Sequence, residues 1–190
     1  MKKIFLLLLP ILMAGHPIAF SQNITNNQVE KGDGKNAHCF EGDGFSSKLM
    51  QNREMDYETR TTLLFDSPCW KTGELDSDFF VLLFNYLMVD IKNNEELAES
   101  LSINLYNLFV CHPGVSLQFE RFINLAEEEC REELWNEILL CLFFEAEIVQ
   151  DERNGEIPLS DVDFFKLFPS LYNNKNTFRI HNIIENFYGE

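Results

Sequence analysis

Residues 79–91, FFVLLFNYLMVDI, constrain the fold more than any other segment of the chain. Apolar side chains occupy nearly every position, so a helix formed here has no face suited to water. Its 13 residues are too few to cross roughly 30 Å of hydrocarbon. Asp76 and Asp78 stand just before the apolar run, where they supply an N-cap and an acidic first turn. We therefore predict a buried helix that the rest of the chain covers on every side.

Two further segments carry apolar side chains at helical spacing. The first stripe ends before Pro113 and Gly114, and its members are Leu97, Leu101, Leu105 and Leu108. The second lies in residues 115–149, which contain no glycine or proline. A single helix over those 35 residues would be about 52 Å long, which is awkward for a domain of this size. We therefore predict two helices with a turn between Ala126 and Glu128.

The remaining segments complete an all-α fold. We expect one or two short helices in 46–65, a loop over 66–77, and helices over 160–168 and 176–188. No segment alternates apolar and polar residues with period two, so nothing indicates a strand. The sequence predicts a single compact all-α domain of about six or seven helices, in up-and-down or helical-repeat-like packing.

The first 21 residues have the three parts of a secretory signal peptide. Lys2 and Lys3 precede an apolar run over 4–14, and small residues at Ala19 and Ser21 suit a signal peptidase. We expect cleavage before Gln22 and export to the periplasm or the exterior, with no membrane insertion afterwards. Residues 22–45 then form a flexible N-terminal arm, and residues 46–190 form the helical domain.

The charge of the chain restricts its partners. The chain has 31 acidic and 15 basic residues, for a net charge of −16. Removing residues 1–21 takes away two lysines and no acidic residue, so the net charge becomes −18. Such a surface repels nucleic acid and anionic lipid headgroups, whereas it attracts a basic protein. Acidity that only keeps an exported protein soluble is the alternative.

The acidic side chains are concentrated in AEEECREELWNE, residues 126–137. Glu128, Arg131 and Glu132 lie about one helical turn or less apart, and we predict that Glu128, Glu132 and Glu133 bind a basic protein partner. A solvated helix surface without a partner is the alternative interpretation.

Five cysteines in an exported chain predict two disulfides and one free thiol. Cys130 and Cys141 are eleven residues apart, or about 16 Å on one helix, whereas a disulfide needs Cα atoms within about 7 Å. An up-and-down layout returns Cys141 to the level of Cys111. We therefore predict the pairs Cys111–Cys141 and Cys39–Cys69, which leave Cys130 free.

Residues 30–45 contain two Gly-Asp-Gly turns and a His38-Cys39 pair. A calcium loop needs an oxygen ligand two residues after its first aspartate, where this chain has Lys35 and Phe45. His38-Cys39 and Cys111-His112 together offer zinc ligands, but the usual paired spacing is missing. We expect linker turns and no metal or other cofactor.

No catalytic motif is present. The chain lacks a Gly-X-Ser-X-Gly elbow, a His-Glu-X-X-His helix and a phosphate-binding loop. Cys111 or Cys141 with a histidine is conceivable as a catalytic pair, but no local signature supports it. We therefore expect a non-enzyme.

The expected function is that of an exported, non-catalytic helical domain that binds another protein. Its most specific form is an inhibitor or immunity-type protein against a basic extracytoplasmic toxin or cell-wall hydrolase. Small size, acidity and export are also typical of periplasmic immunity proteins against peptidoglycan amidases, although none of their motifs occurs here. The alternatives are an envelope structural or assembly module with a helical-repeat groove, and an enzyme with no legible motif.

Overall fold

A computed structural model describes residues 43–90, 95–154 and 157–189. The first helices are α1 (Asp43–Glu54), α2 (Tyr57–Phe65), α3 (Cys69–Thr72) and α4 (Ser77–Asn85), and α4 continues into a π-helical turn (Tyr86–Asp90). They are followed by α5 (Glu95–Cys111), α6 (Val115–Ile123), α7 (Glu128–Asn154), α8 (Asp161–Leu167), a 3₁₀ turn (Pro169–Leu171) and α9 (Asn174–Tyr188). These three ranges contain no strand, which confirms the predicted single all-α domain.

Helix α4 lies at the centre of the core, as its sequence predicts. Within residues 79–90 only Leu82 and Val89 retain intermediate exposure, and the other side chains are buried. Helices α1 and α2 pack against α4, and the π-helical turn that follows contacts α7. The side chain of Asp76 caps α4 by accepting a hydrogen bond from the backbone N–H of Phe79 at 2.8 Å. Local capping and apolar patterning therefore place this helix correctly.

The packing of α5 against α7 forms the second half of the core, and α9 covers α7 as well. The predicted leucine stripe of α5 faces this interface, because Leu101, Leu105 and Leu108 are fully buried. From α7, Leu139 and Leu142 are likewise inaccessible to solvent. Burying aliphatic side chains of this size contributes roughly 1.5–3 kcal/mol each to folding.

The predicted break within 115–149 is confirmed. Helix α6 ends at Ile123, and α7 begins at Glu128. The turn is closed by backbone hydrogen bonds from Leu125 to Phe122 and from Ala126 to Ile123, each at 3.0 Å. Since Ala126 is buried, its carbonyl oxygen needs a partner, and the Nε of Arg131 donates to it.

The loop predicted over 66–77 contains one short helix, α3. It ends at Gly73, whose φ of 68° is the left-handed conformation favoured at a helix C-terminus. The side chain of Gln118 on α6 then holds the loop at two points, donating to the Gly73 carbonyl at 2.7 Å and accepting from the Leu75 N–H at 2.8 Å. This long-range contact has no local sequence signal.

Several predictions concern residues that are not described. The signal peptide over 1–21 and the His38-Cys39 pair lie outside the described residues, as does the first Gly-Asp-Gly turn. Helix α1 begins at Asp43, so it includes residues 43–45 of the predicted N-terminal arm. None of the helices in the described ranges is both long and apolar enough to span a bilayer.

Candidate functional site

A polar groove of about 460 Å³ lies between α6, the first turns of α7 and residues 170–179. Helix α6 contributes Ser116 and Glu120, and the residue that caps its C-terminus, Asn124, lies beside them. Helix α7 contributes Glu128, Arg131, Glu132 and Trp135. The opposite wall consists of Ser170, Leu171, Asn173, Asn174, Lys175, Asn176 and Arg179. Two of the three predicted partner-binding residues, Glu128 and Glu132, therefore line one groove, and Glu133 does not.

Helical periodicity brings the α7 residues onto one face. Glu128, Arg131, Glu132 and Trp135 are spaced at i, i+3, i+4 and i+7, which places them one above another along the helix. The half-buried Trp135 packs against the core from this face. The groove wall is thus continuous with the packed interior.

The floor of the groove is an ion pair between two helices. Arg179 of α9 is only 8% exposed, and its Nη2 and Nε atoms donate to Oε2 of Glu132 at 2.5 and 3.1 Å. Its Nη1 atom donates to the side-chain oxygen of Asn176 at 2.7 Å. The Asn176 amide in turn donates to the Leu171 carbonyl at 2.9 Å. Glu132 therefore fixes α9 to α7, in addition to facing the groove.

The first turn of α9 forms the opposite wall. Asn173 caps this helix, because its side-chain oxygen accepts from the backbone N–H of Asn176 at 2.8 Å. Thr177 Oγ1 donates to the Asn173 carbonyl at 2.8 Å and closes the turn. This cap leaves Asn174 and Lys175 exposed at the groove edge.

Several polar groups of the groove have open hydrogen-bonding capacity. Glu120 and Glu128 are exposed and form no ion pair or hydrogen bond with the described residues. Within the same ranges, no hydrogen bond engages the side-chain amides of Asn124 and Asn174 or the indole N–H of Trp135. Within the described part of the chain, no other group competes with a ligand for them.

The basic and amide residues of the groove were missed by the sequence reasoning. Asn173, Asn174 and Asn176 form an Asn-Asn-Lys-Asn cluster that is visible in the sequence, together with Lys175. The cluster indicates the start of a helix. Its position opposite α7 depends on the hydrogen bond from Arg179 to Glu132, which lies 47 residues earlier in the sequence.

The cysteines do not form the predicted pairs in this structure. Cys69, Cys111 and Cys141 carry free thiols, whereas Cys130 is disulfide-bonded. Cys39 lies outside the described residues, so the predicted Cys39–Cys69 pair is observed only at Cys69.

The register of α7 against α5 explains why Cys111 and Cys141 stay apart. Cys141 is hydrogen-bonded to Ser102, and burial raises the pKa of its thiol to about 12. Ser102 is nine residues from Cys111 on α5, or about 13.5 Å along the helix. The predicted disulfide requires Cys141 to lie level with Cys111 along the packed helices. Cys141 instead lies level with Ser102, so the pair cannot form.

A second polar cluster lies away from the groove. The carboxylate of Glu147 on α7 accepts from the backbone N–H of Leu159 at 3.1 Å, and that N–H also reaches the Tyr188 hydroxyl at 3.0 Å. Burial is the main cause of a raised Glu147 pKa, which hydrogen bonds from Tyr188 and Leu159 partly offset. This cluster joins α7, the segment before α8 and the end of α9, so its geometry is that of an internal brace.

In the described ranges, no three His, Cys, Asp or Glu side chains gather where they could hold a metal ion. His112 of the proposed zinc set packs against Gly73: a Cβ atom added to that glycine would lie 2.5 Å from the His112 Cγ.

Comparison of the chain with protein-family models, curated proteins and solved structures found no match. The fold and the groove define an all-α domain with a polar, solvent-open groove.

Proposed function

We propose that this chain is an exported, non-catalytic helical domain that binds a basic protein in the periplasm or outside the cell. The observation that carries the proposal is the pair of exposed carboxylates at Glu120 and Glu128. They come from different helices, line the same groove and have no ionic partner among the described residues. We call these two residues the acidic wall.

Two effects of different range support this proposal. The net charge of −16 attracts a basic protein from a distance and raises the association rate. At short range the acidic wall supplies carboxylates that need not break an existing ion pair to bind lysine or arginine. By contrast, Glu132 is committed to Arg179 and contributes less to a partner.

The most specific form of this proposal is an inhibitor or immunity-type protein against a basic toxin or cell-wall hydrolase. A carboxylate pair carried by two packed helices suits that role, because the backbone need not reorganise when the pair meets a cationic surface. An envelope-assembly module would instead bind apolar peptides with little dependence on salt.

The test is affinity capture from the native envelope and culture fluid, followed by binding measurements at several salt concentrations. The acidic-wall variant is the double substitution Glu120→Lys/Glu128→Lys. Its control is Glu58→Lys/Glu99→Lys, which reverses two exposed glutamates on α2 and α5 and so changes the net charge by the same amount. We expect a basic partner whose affinity falls steeply with salt, and at least tenfold weaker binding by the acidic-wall variant than by its control.

Three outcomes would contradict the proposal. Equal weakening by both double variants would mean that net charge acts without the acidic wall. Binding that salt does not weaken would favour the assembly module, and turnover of a captured substrate would favour an enzyme.

A further inference from the structure

We propose that the polar groove binds a neutral carbohydrate of one or two sugar rings. This inference does not rest on the protein-partner proposal, because its ligand contacts are made chiefly by Trp135, Asn124 and Asn174, which that proposal does not use. It assigns the chemical class of a small ligand to the groove itself.

The first argument is charge. The groove lining holds three carboxylates, Glu120, Glu128 and Glu132, and three cations, Arg131, Lys175 and Arg179. The net charge of the lining is therefore zero, although the net charge of the whole chain is −16. The net charge of the lining therefore does not favour a charged small ligand over a neutral one.

The second argument is hydrogen bonding. A sugar hydroxyl both donates and accepts, and a side-chain amide does the same. Asn173 and Asn176 already use their side chains for the α9 cap and the Arg179 network. The amides of Asn124 and Asn174, on opposite walls, have no such bond within the described ranges and match hydroxyl groups in type.

The third argument is the indole ring of Trp135. A pyranose carries hydroxyl groups around its rim and apolar C–H groups on its faces, so it needs an apolar surface flanked by polar groups. Trp135 supplies an apolar ring with a polar N–H, and that N–H is unbonded within the described residues. Because the ring packs on the core, its orientation is fixed before a ligand arrives.

The size and rigidity of the groove fit the same class. A volume of about 460 Å³ lies within the range of roughly 300–1,000 Å³ that is common for small-molecule sites. The ion pair between Arg179 and Glu132 holds the two walls at a set separation. The ligand is thus expected to enter a formed site.

The test is tryptophan fluorescence of the full chain during titration with cellobiose, maltose and N,N′-diacetylchitobiose, each in the millimolar range. The chain has two tryptophans. Trp70 is internal, since its N–H donates to the Leu64 carbonyl at 2.7 Å and its ring stacks on Phe65. We expect a saturable change with at least one disaccharide, which Trp135→Phe abolishes while Trp70 continues to fluoresce.

A second variant keeps the test decisive if Trp135→Phe fails to fold. Asn174→Ala changes an exposed side chain and is expected to weaken binding roughly tenfold, because it removes one ligand hydrogen bond. Asn107→Ala, on the exposed face of α5, is the matched control and is expected to bind like the unaltered chain.

Three results would overturn the inference. They are the absence of a saturable change with all three sugars, a change that persists in Trp135→Phe, and equal affinity for a neutral tripeptide such as N-acetyl-triglycine amide. The last result would identify a peptide groove. None of them bears on the acidic wall, which is tested separately through Glu120 and Glu128.

Discussion

At the scale of single residues, Glu132 and Glu128 differ although they are one turn apart on the same helix face. Arg179 is almost wholly buried and depends on Glu132 for its counter-charge, whereas Glu128 has no ionic partner among the described residues. Glu132→Lys places a like charge beside a buried guanidinium. We expect the free energy of unfolding to fall by about 1–3 kcal/mol, less than for a fully buried pair because Glu132 is half-exposed.

Urea unfolding measures this difference, with Glu128→Lys as the control. The control is expected to change the free energy of unfolding by about 0.5 kcal/mol or less. Equal losses in both variants would show that the Arg179 pair contributes nothing particular to stability.

The raised pKa of Glu147 predicts a pH dependence of stability. The folded state binds this proton more tightly than the unfolded chain does, so the carboxyl favours folding at low pH. That contribution is lost as pH rises through the folded pKa, which lies above the ordinary value for glutamate. We expect Glu147→Gln to be more stable than the unaltered chain at neutral pH, with the advantage disappearing below about pH 4.

The measurement is the free energy of unfolding of both proteins between about pH 4 and pH 7. The glutamine keeps an oxygen that accepts from the Leu159 N–H, so the brace is retained. A variant that is less stable at neutral pH would mean that the negative charge itself holds Tyr188 and Leu159 in place.

The thiols are expected to differ in reactivity. Cys111 is exposed, whereas Cys69 and Cys141 are buried. A thiol reagent should therefore label Cys111 in the native protein, and Cys69 and Cys141 only after unfolding.

Since Cys130 is disulfide-bonded and Cys39 is the remaining cysteine of the chain, peptide mapping without reductant should find a 39–130 link. A 111–141 link would restore the layout predicted from the sequence.

At the scale of elements, local patterns account for most of the helices. The apolar run of α4, the leucines of α5 and the caps at Asp76 and Ser160 are each encoded within a few residues. The break between α6 and α7 follows from length, because one straight helix does not suit a small domain. In each of these cases the cause is local, so a single sequence is enough to predict the helix.

The groove could not be predicted, because its cause is not local. It depends on the pairing of Arg179 with Glu132, which lie 47 residues apart in the sequence. Glu128 and Glu132 were found from their charge, whereas the opposite wall required the fold.

The loop after α3 provides a test of element termination. Gly73 has a left-handed φ of 68°, and an added Cβ atom would lie 2.5 Å from the His112 ring. Gly73→Ala is therefore expected to lower the free energy of unfolding by at least roughly 1–2 kcal/mol. Thermal unfolding of Gly114→Ala is the matched control, since Gly114 has a φ of −71° and no atom near its added Cβ. Similar losses in both variants would contradict this account.

At the scale of the whole molecule, the predicted export stays open to a direct test. Intact-mass measurement of protein recovered from the native envelope or culture fluid is expected to give a chain that starts at Gln22, within two residues. Retention of Met1 in exported protein would refute cleavage. The segment concerned lies outside the described residues, so the proposal depends on its amino-acid pattern alone.

The ion pair between Arg179 and Glu132 also has a consequence for the order of synthesis. Ribosomes build the chain from its N-terminus, so α6 and the start of α7 exist well before residues 170–179. A nascent chain can bury α4 and pair α5 with α7 while one side of the groove is still missing. The groove would thus be completed last in biogenesis, and a chain interrupted before Arg179 would lack part of the wall that residues 170–179 form.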